Sequence, residues 1–230
     1  MRINLLRYID NDRHLIGPWK ASHKLHIAKP YVIESEKSDG SISFHGVLTA
    51  PAREPLLSFD IKYTLLDSAL EIAVAYSLPE HVEHLPRCGL EFGTDATKRE
   101  FSYVGFGPYE SYVDKKACCD YGYYESNADD NYCYDYVRPQ ESGSHCETKY
   151  LSIKDSFTVT AERPFSFSVN PYTTNQLVDA KHNFELPTND FVNVCLDLAM
   201  RGIGSYSCGP ELPKQYEIPR GYCNKFVLTF

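Results

Sequence analysis

The stretch Leu57-Ser58-Phe59-Asp60-Ile61-Lys62-Tyr63-Thr64-Leu65 carries an apolar side chain at every odd position. Successive strand residues point to opposite faces of a sheet, so this alternation describes one buried and one solvated face. Asp67-Ser68 supplies a turn, and Leu70-Glu71-Ile72-Ala73-Val74-Ala75-Tyr76 resumes in residues that favour strands. Together they predict a β-hairpin. Working outward, Ser41–Thr49 alternates in the same way and stops before Pro51. Further strands are predicted at 88–92, 150–153, 157–161, 165–169, 191–198 and 222–230. One-sided burial on most of them is the mark of antiparallel sheets. Helical signal is confined to 173–180, where Thr173 can cap the N-terminus. Gly105-Phe106-Gly107 reads as a turn, because no third glycine or following helix makes it a nucleotide loop. No repeat, Gly/Ser linker or charge block divides the chain. The expectation is one all-β domain over residues 1–230, a large antiparallel β-sandwich.

Composition agrees. The 230 residues include 18 Tyr and 12 Phe against 2 Met and 1 Trp, a bias toward strand-forming aromatics. A net charge of -8, from 31 acidic and 23 basic residues, speaks against nucleic acid or an anionic membrane as partner. No apolar run reaches the length of a membrane helix, and the first ten residues are charged too early for a signal peptide. A cytoplasmic location is expected. The eight cysteines are irregularly spaced without a CxxC pair, so they read as buried thiols rather than disulfides or zinc ligands. No metal site and no cofactor are expected.

Segment 118–137 holds six tyrosines, three cysteines and five acids, and reads as a long surface excursion whose tyrosines pack locally. Three polar clusters have the chemistry to hold a sugar: Asp10-Asn11-Asp12-Arg13, Glu110 with Asp114, and Gln140-Glu141 with His145. Glycoside hydrolysis needs two carboxyls at a defined separation, which a sequence does not supply. From the residues alone the reading is a sugar-facing all-β domain.

Five segments, taken together, resemble the large β-galactosidases of glycoside hydrolase family two. Leu6-Arg7-Tyr8-Ile9-Asp10-Asn11-Asp12-Arg13, with Trp19 after it, is similar to their WRAPTDND signature. Gly107-Pro108-Tyr109-Glu110-Ser111-Tyr112-Val113-Asp114-Lys115 resembles GPxExYxDR. Tyr136-Val137-Arg138-Pro139-Gln140-Glu141-Ser142-Gly143-Ser144-His145 resembles YxxPQExGNH. Phe165-Ser166-Phe167-Ser168, continuing through Tyr172, Thr173, Leu177, Ala180 and His182, resembles FSxxxYTxxxLxxAxH. Gly202-Ile203-Gly204-Ser205-Tyr206-Ser207-Cys208-Gly209-Pro210 resembles GxGSxSCGP. The matches are collinear and span nearly the whole chain.

The resemblance implies the C-terminal, small-chain-like domain of such an enzyme, a galactose-mutarotase-like supersandwich whose opening strands are missing here. It implies a partner, the catalytic TIM-barrel portion on the same or a separate chain, a galactoside substrate, and room for a homo-oligomer. The catalytic glutamates belong to that barrel, so this chain is expected to be inactive alone and to supply scaffold, subunit contacts and rim loops. Asp67 and Ser68, with Ser205, Tyr206, Ser207 and Cys208, are the expected rim residues. Cys208 stands where some family members stack a tryptophan under the sugar. A second reading is a stand-alone carbohydrate-binding or mutarotase-like module, with His145 and Glu141, or His182 and Glu185, as its acid–base pair.

Overall fold

A computed structural model describes residues 1–204 and 209–230. Twelve strands form one antiparallel sheet: β1 (Arg2–Asn4), β2 (Lys29–Ser38), β3 (Ser41–Thr49), β4 (Leu57–Leu65), β5 (Ala69–Ser77), β6 (Arg87–Asp95), β7 (Glu100–Gly107), β8 (Asp120–Asn127), β9 (His145–Ile153), β10 (Phe157–Asn170), β11 (Phe191–Met200) and β12 (Gly221–Thr229). The main path runs β1-β6-β11-β10-β12-β5-β4-β3-β2, and a branch of β9, β7 and β8 leaves from β10.

The branch point explains the layering. Thr158–Ala161 of β10 pairs with β12, Ser166–Asn170 pairs with β11, and both halves share β9 on the other edge. Between them the register shifts at 161–164, where Pro164 lacks the N–H a ladder needs. The strand read as two from sequence is therefore one bent strand. Its second half, together with β11 and the first half of β6, is buried on both faces. Rings from separate strands meet there: Phe101 and Phe167 at 5.8 Å, Tyr103 and Phe167 at 5.1 Å, and Phe165 and Phe226 at 5.5 Å.

The β4–β5 hairpin stands where the alternation put it, with Phe59 opposite Tyr76 and Ile61 opposite Val74. Helix Thr174–Asp179 starts at Thr173 with a full capping box, in which Thr173 and Gln176 each satisfy the other's backbone N–H. Three segments differ from expectation. Gly105-Phe106-Gly107 is not a turn but the end of β7, and Gly105 is needed because a Cβ there would lie 2.6 Å from the Thr148 hydroxyl. Residues 118–137 are not one loop: Asp120–Asn127 forms the edge strand β8, and Asn127 caps the short helix Ala128–Asn131. Lys29–Ser38 forms β2, exposed along its whole length, so no burial pattern marks it in the sequence.

Candidate functional site

The site is built on three arginines with no exposed surface, Arg7, Arg87 and Arg201. Burying a guanidinium is costly unless it is fully paired, and each one is. Arg7, just past β1, grips Asp12 with Nε at 2.7 Å and Nη2 at 3.1 Å, and also donates to the carbonyls of Arg201 and Gly202. Arg87 opens β6 and makes a two-pronged contact with Asp197 of β11, at 2.8 and 2.6 Å, and a third bond to Glu141 Oε2 at 2.8 Å. Arg201 holds Glu217 at 2.8 Å and Glu211 at 2.8 Å.

These pairs lash together segments that are far apart in sequence. Arg7, in the first motif, clamps the backbone of the last. The Asp114 carboxylate accepts the N–H groups of Ile203 at 3.0 Å and Gly204 at 2.8 Å, tying the second motif to the same turn. The approach is so close that a Cβ on Gly202 would stand 2.6 Å from the Asp114 carboxyl carbon, which is why glycine is needed there. Gln140 Oε1 accepts the Asp10 N–H at 2.7 Å, and the Glu141 N–H donates to the Tyr8 carbonyl at 2.7 Å. Glu110 accepts from Lys115 at 2.6 Å and from the Gly143 N–H at 3.1 Å.

The result is a cleft of about 400 Å³ lined by four of the five motifs. Tyr8, Asp10 and Asn11 come from the first, Glu110, Tyr112 and Lys115 from the second, Tyr136, Arg138, Gln140 and Glu141 from the third, and Ile203 from the last. The Arg138 guanidinium lies over the Tyr8 ring at 4.5 Å, a favourable cation–π arrangement. Burial pushes the Glu141 carboxyl up to about 7; Arg87 opposes the shift and Asp197 adds to it. Burial likewise raises the Tyr112 phenol well above its ordinary value, and Glu110 reinforces it.

The remaining sequence candidates fall elsewhere. Arg13 pairs with Asp10 at 2.7 Å on the surface. His145 is a core residue: Nδ1 meets the Phe106 carbonyl at 3.2 Å, Nε2 meets Asn131 at 2.9 Å, and the ring packs against Tyr103 at 4.3 Å. Burial lowers its pKa to about 4, so the imidazole is neutral. Among the described residues no hydrogen bond or ion pair joins it to Glu141, whose partner is Arg87. His182 is exposed and stacked on Phe184 at 5.2 Å, while Glu185 accepts the Lys181 N–H at 2.7 Å. Asp67 and Ser68 are exposed at the tip of the β4–β5 hairpin, where the Ser68 carbonyl accepts the Phe230 N–H. Arg201, whose carbonyl accepts from Arg7, holds Glu217 four residues before β12, toward the other end of β5 and β12, where Ser77 pairs with Gly221. Nine-residue strands separate the two ends by on the order of 25 Å. Ser205, Tyr206, Ser207 and Cys208 lie outside the described residues.

Sequence reasoning missed Arg87, Asp197, Arg201 and Glu217. The signal was present at one of them: Asp197 stands between Leu196 and Leu198 in a strand whose neighbours are all buried, and an acid there must have a cation. Among the described residues no three His, Cys, Asp or Glu side chains gather as a metal site requires, and no described helix is long and apolar enough to cross a membrane.

An all-β domain whose motif series is stitched around one polar cleft is the class that fold and site define. The family model for the beta galactosidase small chain matches residues 1–228, and the chain belongs to that family. It is 36% identical over 213 residues to a beta-galactosidase of Actinobacillus pleuropneumoniae, covering 91% of this chain and 21% of that protein. It is 30% identical over 217 residues to one from Staphylococcus xylosus, covering 91% of this chain and 22% of that protein. The chain thus spans about a fifth of the length of these relatives. Among solved structures, a putative aldose 1-epimerase from Escherichia coli K12 aligns with a TM-score of 0.42 at 9% identity, covering 87% of this chain and 68% of that one. A galactose mutarotase-like protein from Lactobacillus casei aligns at 0.39 and 10% identity, covering 85% and 71%.

Proposed function

We propose that this chain is the small-chain domain of an enzyme hydrolysing terminal β-D-galactosides, and that it contributes scaffold, subunit contacts and rim loops but not the catalytic carboxylates. The observation that carries the reading is the engagement of the five acids of the first three motifs. Asp12 is held by Arg7, Glu141 by Arg87, Asp10 by Arg13, Glu110 by Lys115, and Asp114 by two backbone N–H groups. A glycosidase pair needs one carboxyl free to give a proton and another free to attack or activate water. Acids locked as structural joints suit a domain that shapes an active site completed by a barrel portion. That portion, as the same or a separate chain, is the partner; the assembled enzyme is a homo-oligomer working in the cytoplasm, where the seven described free thiols stay reduced.

Assaying a chromogenic β-galactoside tests the reading. The chain alone should leave it intact, and mixing with the barrel-containing portion of a β-galactosidase should restore hydrolysis. Strong hydrolysis by the chain alone would overturn the proposal, as would a mixture no more active than the barrel portion by itself.

A further inference from the structure

We propose that the cleft between residues 8–11 and 136–141 is itself a saccharide site, a non-catalytic subsite for a neutral galactose-type residue formed wholly by this chain. The inference rests on the galactoside reading above and deepens it. A volume of about 400 Å³ lies within the usual range of small-ligand clefts and admits about one or two pyranose rings.

The lining has the three kinds of surface a sugar requires. Tyr136, 37% exposed, offers its ring to the apolar C–H face of a pyranose, and the buried rings of Tyr8 and Tyr112 back the wall behind it. Free donors stand beside them. The half-buried Asn11 amide makes no hydrogen bond among the described residues, and the exposed Arg138 guanidinium, seated on Tyr8, forms no ion pair among them. Acceptors complete the set. Asp10 Oδ2 takes Arg13, and Oδ1 remains for a hydroxyl. In the wall, Glu141 has a side chain only 3% exposed, and Arg87 Nη1 lies 2.8 Å from each of its carboxylate oxygens, so it shapes the cleft as a fixed, paired group.

Charge selects the ligand class. Lys115 and Arg138 line the cleft with Asp10, Glu110 and Glu141, and the acids are paired with Arg13, Lys115 and Arg87, so the cleft has both signs at close range and little net charge. An anion would meet the three acids, and a cation would meet the two bases. A neutral polyhydroxyl compound, each hydroxyl both donor and acceptor, matches both without burying an unpaired charge. The walls are preorganised, since the four motifs that line them are held to one another by backbone hydrogen bonds and buried ion pairs.

The test is an NMR titration of the ¹⁵N-labelled 230-residue chain with methyl β-D-galactopyranoside, with glycerol in a parallel series. Saturable shifts at the amides of residues 8–11 and 136–141 are expected with the galactoside and not with glycerol. Asn11→Ala and Arg138→Ala should each weaken binding about tenfold, the loss of one hydrogen-bonding group, whereas Lys37→Ala on the exposed strand β2 should not. Should either alanine variant lose spectral dispersion, Asn11→Asp and Arg138→Lys take its place with the same expectation. No saturable shift, shifts shared with glycerol, or binding indifferent to all four replacements would overturn the inference. Restored hydrolysis in the barrel mixture without galactoside binding here would sink only this inference. Binding here without restored hydrolysis would sink only the assignment of the domain to the enzyme.

Discussion

The two ends of strands β5 and β12 treat charge in opposite ways. At one end Arg7, Arg87 and Arg201 have no exposed surface, and each is fastened to at least one carboxylate. At the other, the β4–β5 hairpin tip leaves Asp67 and Ser68 in water beside Leu65 and Phe230, which are 71% and 70% exposed. Both ends have an acid in a turn, and only burial distinguishes them. In water an acid is solvated whatever its neighbours, so little depends on it. Inside the protein it must have a partner, and the partner then fixes how distant segments meet.

The strongest way to break the comparison is Arg87→Met. It leaves Asp197 and Glu141 buried without their cation, and should cost about 3–5 kcal/mol of unfolding free energy in urea. A loss under about 1 kcal/mol would mean that these acids find solvent or protons with ease. Glu141→Gln sharpens the same point through pH. The Glu141 carboxyl is raised from 4.5 to about 7 in the fold, so between those values the folded state binds the proton that the unfolded state has released. Its contribution is therefore largest below pH 4.5 and is lost as pH rises to about 7, at most about 3 kcal/mol over the window. His145, lowered to about 4, works in the opposite sense, since its neutral ring favours the fold above pH 6.5 and loses that advantage as pH falls. The difference in stability between wild type and Glu141→Gln isolates the Glu141 part, and a difference flat from pH 4.5 to 7 would contradict it. Smallest of all, Asp67→Ala at the exposed tip should change stability by no more than about 0.5 kcal/mol, readable as an unmoved thermal midpoint.

Legibility in the sequence followed burial of a different kind. Strands β3, β4, β5 and β12 alternate because one face or the other meets the core, β11 is a near-continuous apolar run because both faces are buried, and the ends of all five were readable to within two or three residues. Strand β2 escaped because all ten of its residues are exposed; its adjacent Val32 and Ile33 break the alternation where the register shifts by a bulge. Strand β8 escaped because its tyrosines sit on an edge, among acids that belong to turns in most sequences. In the cleft, Asp10, Asn11, Glu110, Gln140 and Glu141 were nameable as sugar-holding clusters, but their meeting was not. The contacts joining Arg7 to Gly202 and Arg87 to Asp197 span 195 and 110 residues, and no local pattern encodes a partner at that distance. His145 shows the reverse error: a polar residue in a motif is a core ring, enclosed by Tyr103 and Phe167.

By itself the sequence determined the all-β class, the β4–β5 hairpin, the capped helix and the family, because alternation, turn chemistry and collinear motifs are local properties of the chain. Tertiary structure alone decided that four motifs share one cleft, that the hairpin tip stands at the other end, and that the acids of the cleft are already held. Those outcomes depend on which buried charge faces which, and a charge in low dielectric accepts whatever partner the folded backbone brings to it.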